Sequence, residues 1–137
     1  MAELKVERDF SASATDVWEK LGNFAELGWM PGVSSVEVEG DGIGAVRTIG
    51  MGGATVVERL EAHDHAGRSL SYAITDGPIP VQDYLATITV TEAGSGCHVD
   101  WTAKFSTPDG VPAEAVVPAL EGAYGGALDA LKGILEN

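Results

Sequence analysis

Residues 46–51 and 54–60 are two rows rich in apolar and β-branched residues, and between them lies Gly52-Gly53. A glycine pair between two such rows suits a two-residue hairpin turn of the primed type. A hairpin centred there places Met51 opposite Ala54, Ile49 opposite Val56, and Arg47 opposite Glu58. Side chains alternate across a strand, so Arg47 shares a face with Ile49 and Met51, and Glu58 shares one with Val56 and Leu60. If that apolar face is the core side, an ion pair sits inside it. A buried pair is a poor stabilising device, so this one calls for a functional explanation. The structural alternative is a cross-strand pair at an exposed rim, worth under about 1 kcal/mol.

The 137 residues suit a single domain spanning 1–137, long enough to enclose a core. Lys and Arg number 8 against 21 Asp and Glu, a formal net charge of −13. That balance argues against partners such as nucleic acid or an anionic membrane surface, which need basic patches. No apolar run reaches the length of a membrane span, and the first residues lack the apolar stretch of a signal peptide. Cys97 stands alone, which excludes an internal disulfide framework and fits a reducing cytoplasm.

Leu4, Val6, Arg8 and Phe10 alternate with Lys5, Glu7 and Asp9, the pattern of an opening strand. Ser13 with Asp16 approximates a capping box for a short helix carrying Val17, Trp18 and Leu21. Asn23 is positioned to cap a second short helix through Leu27, before Trp29-Met30-Pro31-Gly32 breaks the chain. Residues 33–106 then read as six strands in hairpin succession. The last hairpin, centred on Gly94-Ser95, sets Val90 opposite Val99, Ile88 opposite Trp101, Ala86 opposite Ala103, and Tyr84 opposite Phe105. An odd-length turn around His65 sets Glu58 opposite Tyr72 on the same face. Beyond the sheet, an apolar stripe from Val116 through Leu120, Tyr124, Leu128 and Leu131 to Leu135 predicts a C-terminal helix that starts near Pro118. Gly122, Gly126 and Gly133 fall on its opposite face, as tolerated surface glycines or as the contact of a homodimer.

The expected fold class is therefore α+β. A seven-stranded curved antiparallel sheet wraps around a long C-terminal helix, with two short helices after strand 1. A gap between sheet and helix is a natural ligand cavity.

This order resembles the START-like (SRPBCC) superfamily, within its polyketide cyclase/dehydrase group, over the whole chain. The pieces that carry the resemblance are residues 16–21 (DVWEKL), 29–33 (WMPGV), 40–47 (GDGIGAVR), 58–61 (ERLE), 70–72 (LSY), 77–84 (GPIPVQDY) and 101–105 (WTAKF). The resemblance implies a helix-grip fold around a small-molecule cavity. One branch, the plant lachrymatory-factor synthases, uses an arginine, a glutamate and a tyrosine in its pocket. By that likeness Arg47, Glu58 and Tyr84 take those roles. The glutamate-to-tyrosine spacing is similar, whereas the arginine-to-glutamate hairpin is shorter here.

Arginine offers a fixed fork of donors to an anionic or carbonyl oxygen. A glutamate can move a proton where desolvation raises its pKa against the arginine's pull. Tyr84 and Tyr72 present phenol donors to the same face. Trp29, Met30, Met51, Ile74, Ile88, Trp101, Phe105, Leu120, Tyr124 and Leu128 complete the expected lining. His63-Asp64-His65 lies in a turn without an evident third ligand, so no metal is expected, and no other cofactor either. Residues 40–44 are glycine-rich but lack the lysine of a phosphate loop.

The expected function is binding of a small, largely apolar molecule carrying an oxygen function. If the protein is an enzyme, the expected chemistry is cofactor-independent cyclisation, dehydration or isomerisation, with entry gated by residues 50–54 and 77–81 beside Trp29-Met30. The alternative is a non-catalytic carrier or sensor.

Overall fold

The computed structural model describes residues 1–136. Its elements are β1 (Ala2–Phe10), α1 (Ala14–Leu21), β2 (Val33–Glu39), β3 (Val46–Met51), β4 (Ala54–Asp64), β5 (Ser69–Asp76), β6 (Gln82–Ala93), β7 (Gly96–Ser106) and α2 (Ala113–Leu135). The strands form one antiparallel sheet of order β1-β7-β6-β5-β4-β3-β2, so the expected hairpin succession and the edge position of β1 are both observed. No helix among the described residues is long and apolar enough to cross a membrane.

The β3–β4 hairpin has the expected register, with Met51 paired to Ala54, Ile49 to Val56 and Arg47 to Glu58. Gly52 and Gly53 adopt φ of 55° and 89°, which glycine alone takes up readily and which a primed turn requires. The β4–β5 pairing departs from expectation. Glu58 pairs with Ile74, and Leu60 pairs with Tyr72, because the turn between Asp64 and Ser69 spans residues 65–68 instead of centring on His65, and a one-residue shift between Leu60 and Ala62 follows it. The offset is two residues, so face parity survives and Tyr72 still points inward. The β6–β7 pairing matches from Val90–Val99 down to Ala86–Ala103, then shifts between Gln82 and Leu85 where Asp83 takes φ 51°.

Two helix expectations are corrected. α1 is present, with Ser13 Oγ accepting from the Asp16 amide at 3.1 Å, but residues 23–27 form turns and no second helix. The Asn23 side chain accepts from the Ala25 amide, closing a local turn that competes with helix propagation. α2 starts at Ala113, five residues before Pro118. Proline there removes the bond to the Glu114 carbonyl. Both residues are exposed, so water can satisfy that carbonyl and the proline is tolerated.

The core fills the concave side of the sheet. Leu70, Val99, Phe105, Leu128 and Leu131 are fully enclosed, and each such side chain contributes about 1.5–3 kcal/mol relative to exposure. α1 buries Val17, Trp18 and Leu21 under β6 and β7. α2 lies closest to β1. Gly125 faces that edge, where a Cβ would stand 2.8 Å from the movable end of the Arg8 side chain. Arg8 passes beneath the helix and donates through Nε to Asp129 at 2.8 Å. Because the helix seats on the β1 edge, it stands off from β3, β4 and β5, and a gap opens there.

On the outer face, His98 pairs with Asp9 at 2.6 Å, Glu7 at 3.0 Å and Asp100 at 3.2 Å, and Lys5 lies beside both Glu7 and Asp100. The hydrogen bond to Asp9, more than the neighbouring carboxylates, raises the imidazole's pKa.

Two glycines test this packing in opposite senses. A Cβ at Gly96 would collide with the Phe10 carbonyl, a backbone atom, whereas Gly133 has open space around it on the helix. Gly96→Ala is expected to lower stability by about 1–3 kcal/mol. Gly133→Ala is expected to raise it by about 0.5–1 kcal/mol. Denaturant midpoints at equal m-value measure both.

The ion pair allows a second check. Arg47 is 6% exposed and Glu58 8%. Glu58→Leu alone should cost about 3–5 kcal/mol, because it strands a buried arginine. The double variant Arg47→Met/Glu58→Leu should equal or exceed the wild type in chemical denaturation. A double variant as unstable as the single one would show that the pair itself stabilises the fold.

Candidate functional site

The gap between α2 and the sheet is a cavity of about 140 Å³. Its sheet wall comes from β3 (Arg47, Ile49, Met51), β4 (Val56, Glu58) and β5 (Tyr72, Ile74), with Tyr84 from β6 and Trp101 from β7. α2 supplies Leu120, Ala123 and Tyr124, and the connecting segments supply Leu27, Met30 and Ile79. A groove of about 210 Å³ lies against it, bordered by Pro31, Gly122 and Gly126 and sharing Met30, Met51 and Ala123. Gly122 and Gly126 have nothing within reach of an added Cβ, so this strip of helix stays low beside the cavity.

Arg47 is held on all sides. Its Nε donates to Glu58 Oε1 at 2.8 Å, and its second terminal nitrogen lies 2.6 Å from the same oxygen. The first terminal nitrogen donates to the Phe24 carbonyl at 3.0 Å. The guanidinium carbon sits 4.1 Å from the Phe24 ring centroid and 5.2 Å from that of Tyr72, a favourable cation–π environment for a buried cation. Both contacts to Glu58 fall on Oε1. Among the described residues no hydrogen bond reaches Oε2.

Burial raises the Glu58 pKa above the ordinary carboxylate value, and the charge and hydrogen bond of Arg47 pull against that rise. A carboxyl with a raised pKa is a better proton acceptor than a solvated one. Burial also pushes the Tyr72 hydroxyl far up, with Tyr84 and Glu58 adding to the effect. Tyr84 is likewise raised by burial. Both phenols therefore stay protonated and serve as neutral donors.

The rings are ordered by contacts among themselves. Trp101 Nε1 donates to the Tyr72 hydroxyl at 3.2 Å, and Trp101 stacks on Tyr124 at 4.4 Å between centroids and 6° between planes.

Of the residues singled out from the sequence, Arg47, Glu58, Tyr84, Tyr72, Met30, Met51, Ile74, Trp101, Leu120 and Tyr124 meet around this one cavity. Ile88, Phe105 and Leu128 do not. They are packed in the core, with Phe105 against the Tyr84 ring at 6.4 Å between centroids. Trp29 packs against the core beside the cavity without lining it. Leu27 and Ile79 were missed, since both sit in irregular segments without periodicity. Ile49 and Val56 were legible from parity with Arg47 and Glu58.

A larger depression of about 480 Å³ lies outside, between α1 and the Gly40–Gly42 turn. It is an open trough. His63 there bonds the Gly22 carbonyl at 2.9 Å, and His65 Nδ1 accepts from Trp18 Nε1 at 3.1 Å. These histidines tie α1 to β4. The candidate site is instead the smaller, more enclosed cavity, where the buried charges and phenols converge.

Known proteins agree with this architecture. The profile of the family described as polyketide cyclase / dehydrase and lipid transport matches residues 1–136. Among solved structures, the protein XoxI from Bacillus cereus superposes with a TM-score of 0.91 and 32% identity, covering 100% of this chain and 97% of that one. A Thermobifida fusca protein solved by solution NMR gives 0.82 and 31%, over 96% and 91% of the two chains. Ara h 8.0201 gives 0.82 at 18% identity, over 98% and 97%, a likeness of fold alone. No curated protein matches the chain. With the match running from the first residue of β1 past the end of α2, the chain belongs to the polyketide cyclase/dehydrase and lipid transport family.

Proposed function

We propose that this protein binds a small, largely apolar molecule with an oxygen function in the cavity between sheet and α2, and moves a proton on it without a cofactor. The observation that carries this reading is the buried Arg47–Glu58 pair set in an apolar wall with one carboxylate oxygen unbonded. The family description, which includes both cyclases or dehydrases and lipid transport, supports an apolar ligand.

Glu58 Oε2 is the proton acceptor. When it takes a proton from the ligand, the carboxylate becomes neutral and the ligand acquires an oxyanion, so the charge in the cavity is unchanged. Arg47 loses its first counter-ion as the second appears, and its buried guanidinium stabilises the oxyanion. Tyr84 donates a hydrogen bond to the same oxygen. Proton return from Glu58 at another atom completes an isomerisation or cyclisation. Return to a departing hydroxyl completes a dehydration. The groove bordered by Gly122 and Gly126 is the entry, beside Met30 and the β3–β4 turn.

Carriage without chemistry is the second reading. It is favoured by the commitment of Arg47's Nε and terminal nitrogens to Glu58 and the Phe24 carbonyl, which suits a fixed orienting wall.

Native mass spectrometry of protein taken from its own host would identify the ligand. Incubating that ligand in D₂O with wild type should give deuterium incorporation or conversion. Glu58→Gln should slow this by about 10²-fold or more while still binding. A wild type that binds and releases the ligand with no exchange would leave carriage as the function.

A further inference from the structure

Among the described residues, Tyr124 is the cavity-lining residue with a fully buried polar atom that lacks a hydrogen-bond partner. The residue is 4% exposed, and its hydroxyl is buried without a hydrogen-bond partner among the described residues. A buried hydroxyl left unpaired carries a full desolvation penalty. The side chain cannot swing away to find a partner, because its ring is stacked on Trp101, whose indole N–H is fixed by Tyr72. Tyr72 in turn lies against the Arg47 guanidinium. A ladder of rings therefore runs from the ion pair on the sheet to the hydroxyl on α2, with the cavity beside it. At the sheet end, Glu58 Oε2 is also unbonded.

We infer that Tyr124 is a specificity-determining residue, and that the ligand is a compact, ring-sized molecule with oxygen functions at both ends. One oxygen is read by the Arg47–Glu58 pair and the other by the Tyr124 hydroxyl. This inference rests on the cavity reading above and adds the second polar contact. Size supports it, since a cavity of about 140 Å³ resembles one of about 150 Å³ that accommodates benzene. Leu120, Ile49 and Val56 hold the middle of the ligand with apolar contacts only.

The test compares hydroquinone, kept reduced with ascorbate, with 4-methylphenol, which replaces one hydroxyl by a methyl of nearly equal size. Binding to wild type and Tyr124→Phe is followed by protein NMR shifts. The affinity of hydroquinone relative to 4-methylphenol should fall about fivefold to tenfold in Tyr124→Phe, the worth of one hydrogen bond. The free variant should melt at the same temperature as wild type or higher, since it loses an unpaired group. An unchanged ratio with both probes bound overturns this inference alone. A lower melting temperature of free Tyr124→Phe also overturns it, by showing that the hydroxyl already has a partner. Failure of both probes to enter wild type overturns this inference together with the cavity reading.

Discussion

The contact between Arg47 and Glu58 organises this molecule, because two charges taken out of water demand a particular surrounding. Each is more than nine-tenths buried. Removing such ions from water costs several kcal/mol apiece, and Coulomb attraction returns this only with good geometry. The geometry is good. Two nitrogens meet one carboxylate oxygen, a third is satisfied by the Phe24 carbonyl, and two aromatic rings flank the guanidinium. The turn segment after α1 is drawn over the sheet partly by that carbonyl. The pair thus links the β3–β4 hairpin to the chain that crosses above it.

Placement of the helix completes the arrangement. α2 settles on the β1 edge, where Arg8 reaches Asp129 on the helix. A long helix seated at one side of a curved sheet cannot also fill the other side. The space it leaves lies over β3, β4 and β5, where the charged pair and Tyr72 project.

Much of this was legible in the sequence, for reasons that can be named. Gly52-Gly53 permits one tight turn, and its register places Arg47 against Glu58 directly. Alternation then carried the same face through Tyr72, Tyr84 and Trp101, and it held even though the turn at residues 65–68 and a bulge together moved the partner of Glu58 from Tyr72 to Ile74. Parity is robust because a two-residue slip returns each side chain to its original face. What was not legible depended on three-dimensional choices. Periodicity cannot say which end of the sheet the helix covers, so Ile88, Phe105 and Leu128 were grouped with the lining. Leu27 and Ile79 lie in segments with no repeating pattern. The start of α2 was misplaced because proline usually marks a first turn, whereas here its exposed position makes it tolerable further in.

The account turns on Glu58 being a desolvated carboxyl whose proton affinity is raised by burial despite its arginine partner. Carbon-13 NMR of the side-chain carboxyl, followed through a pH titration of the free protein, measures this directly. Glu58 should titrate above the ordinary glutamate value of 4.5, with Glu58→Gln identifying the signal. A Glu58 that titrates at or below that value would mean that Arg47 and solvent dominate its surroundings. It would contradict the assignment of this residue as the proton-transferring group of an enclosed site.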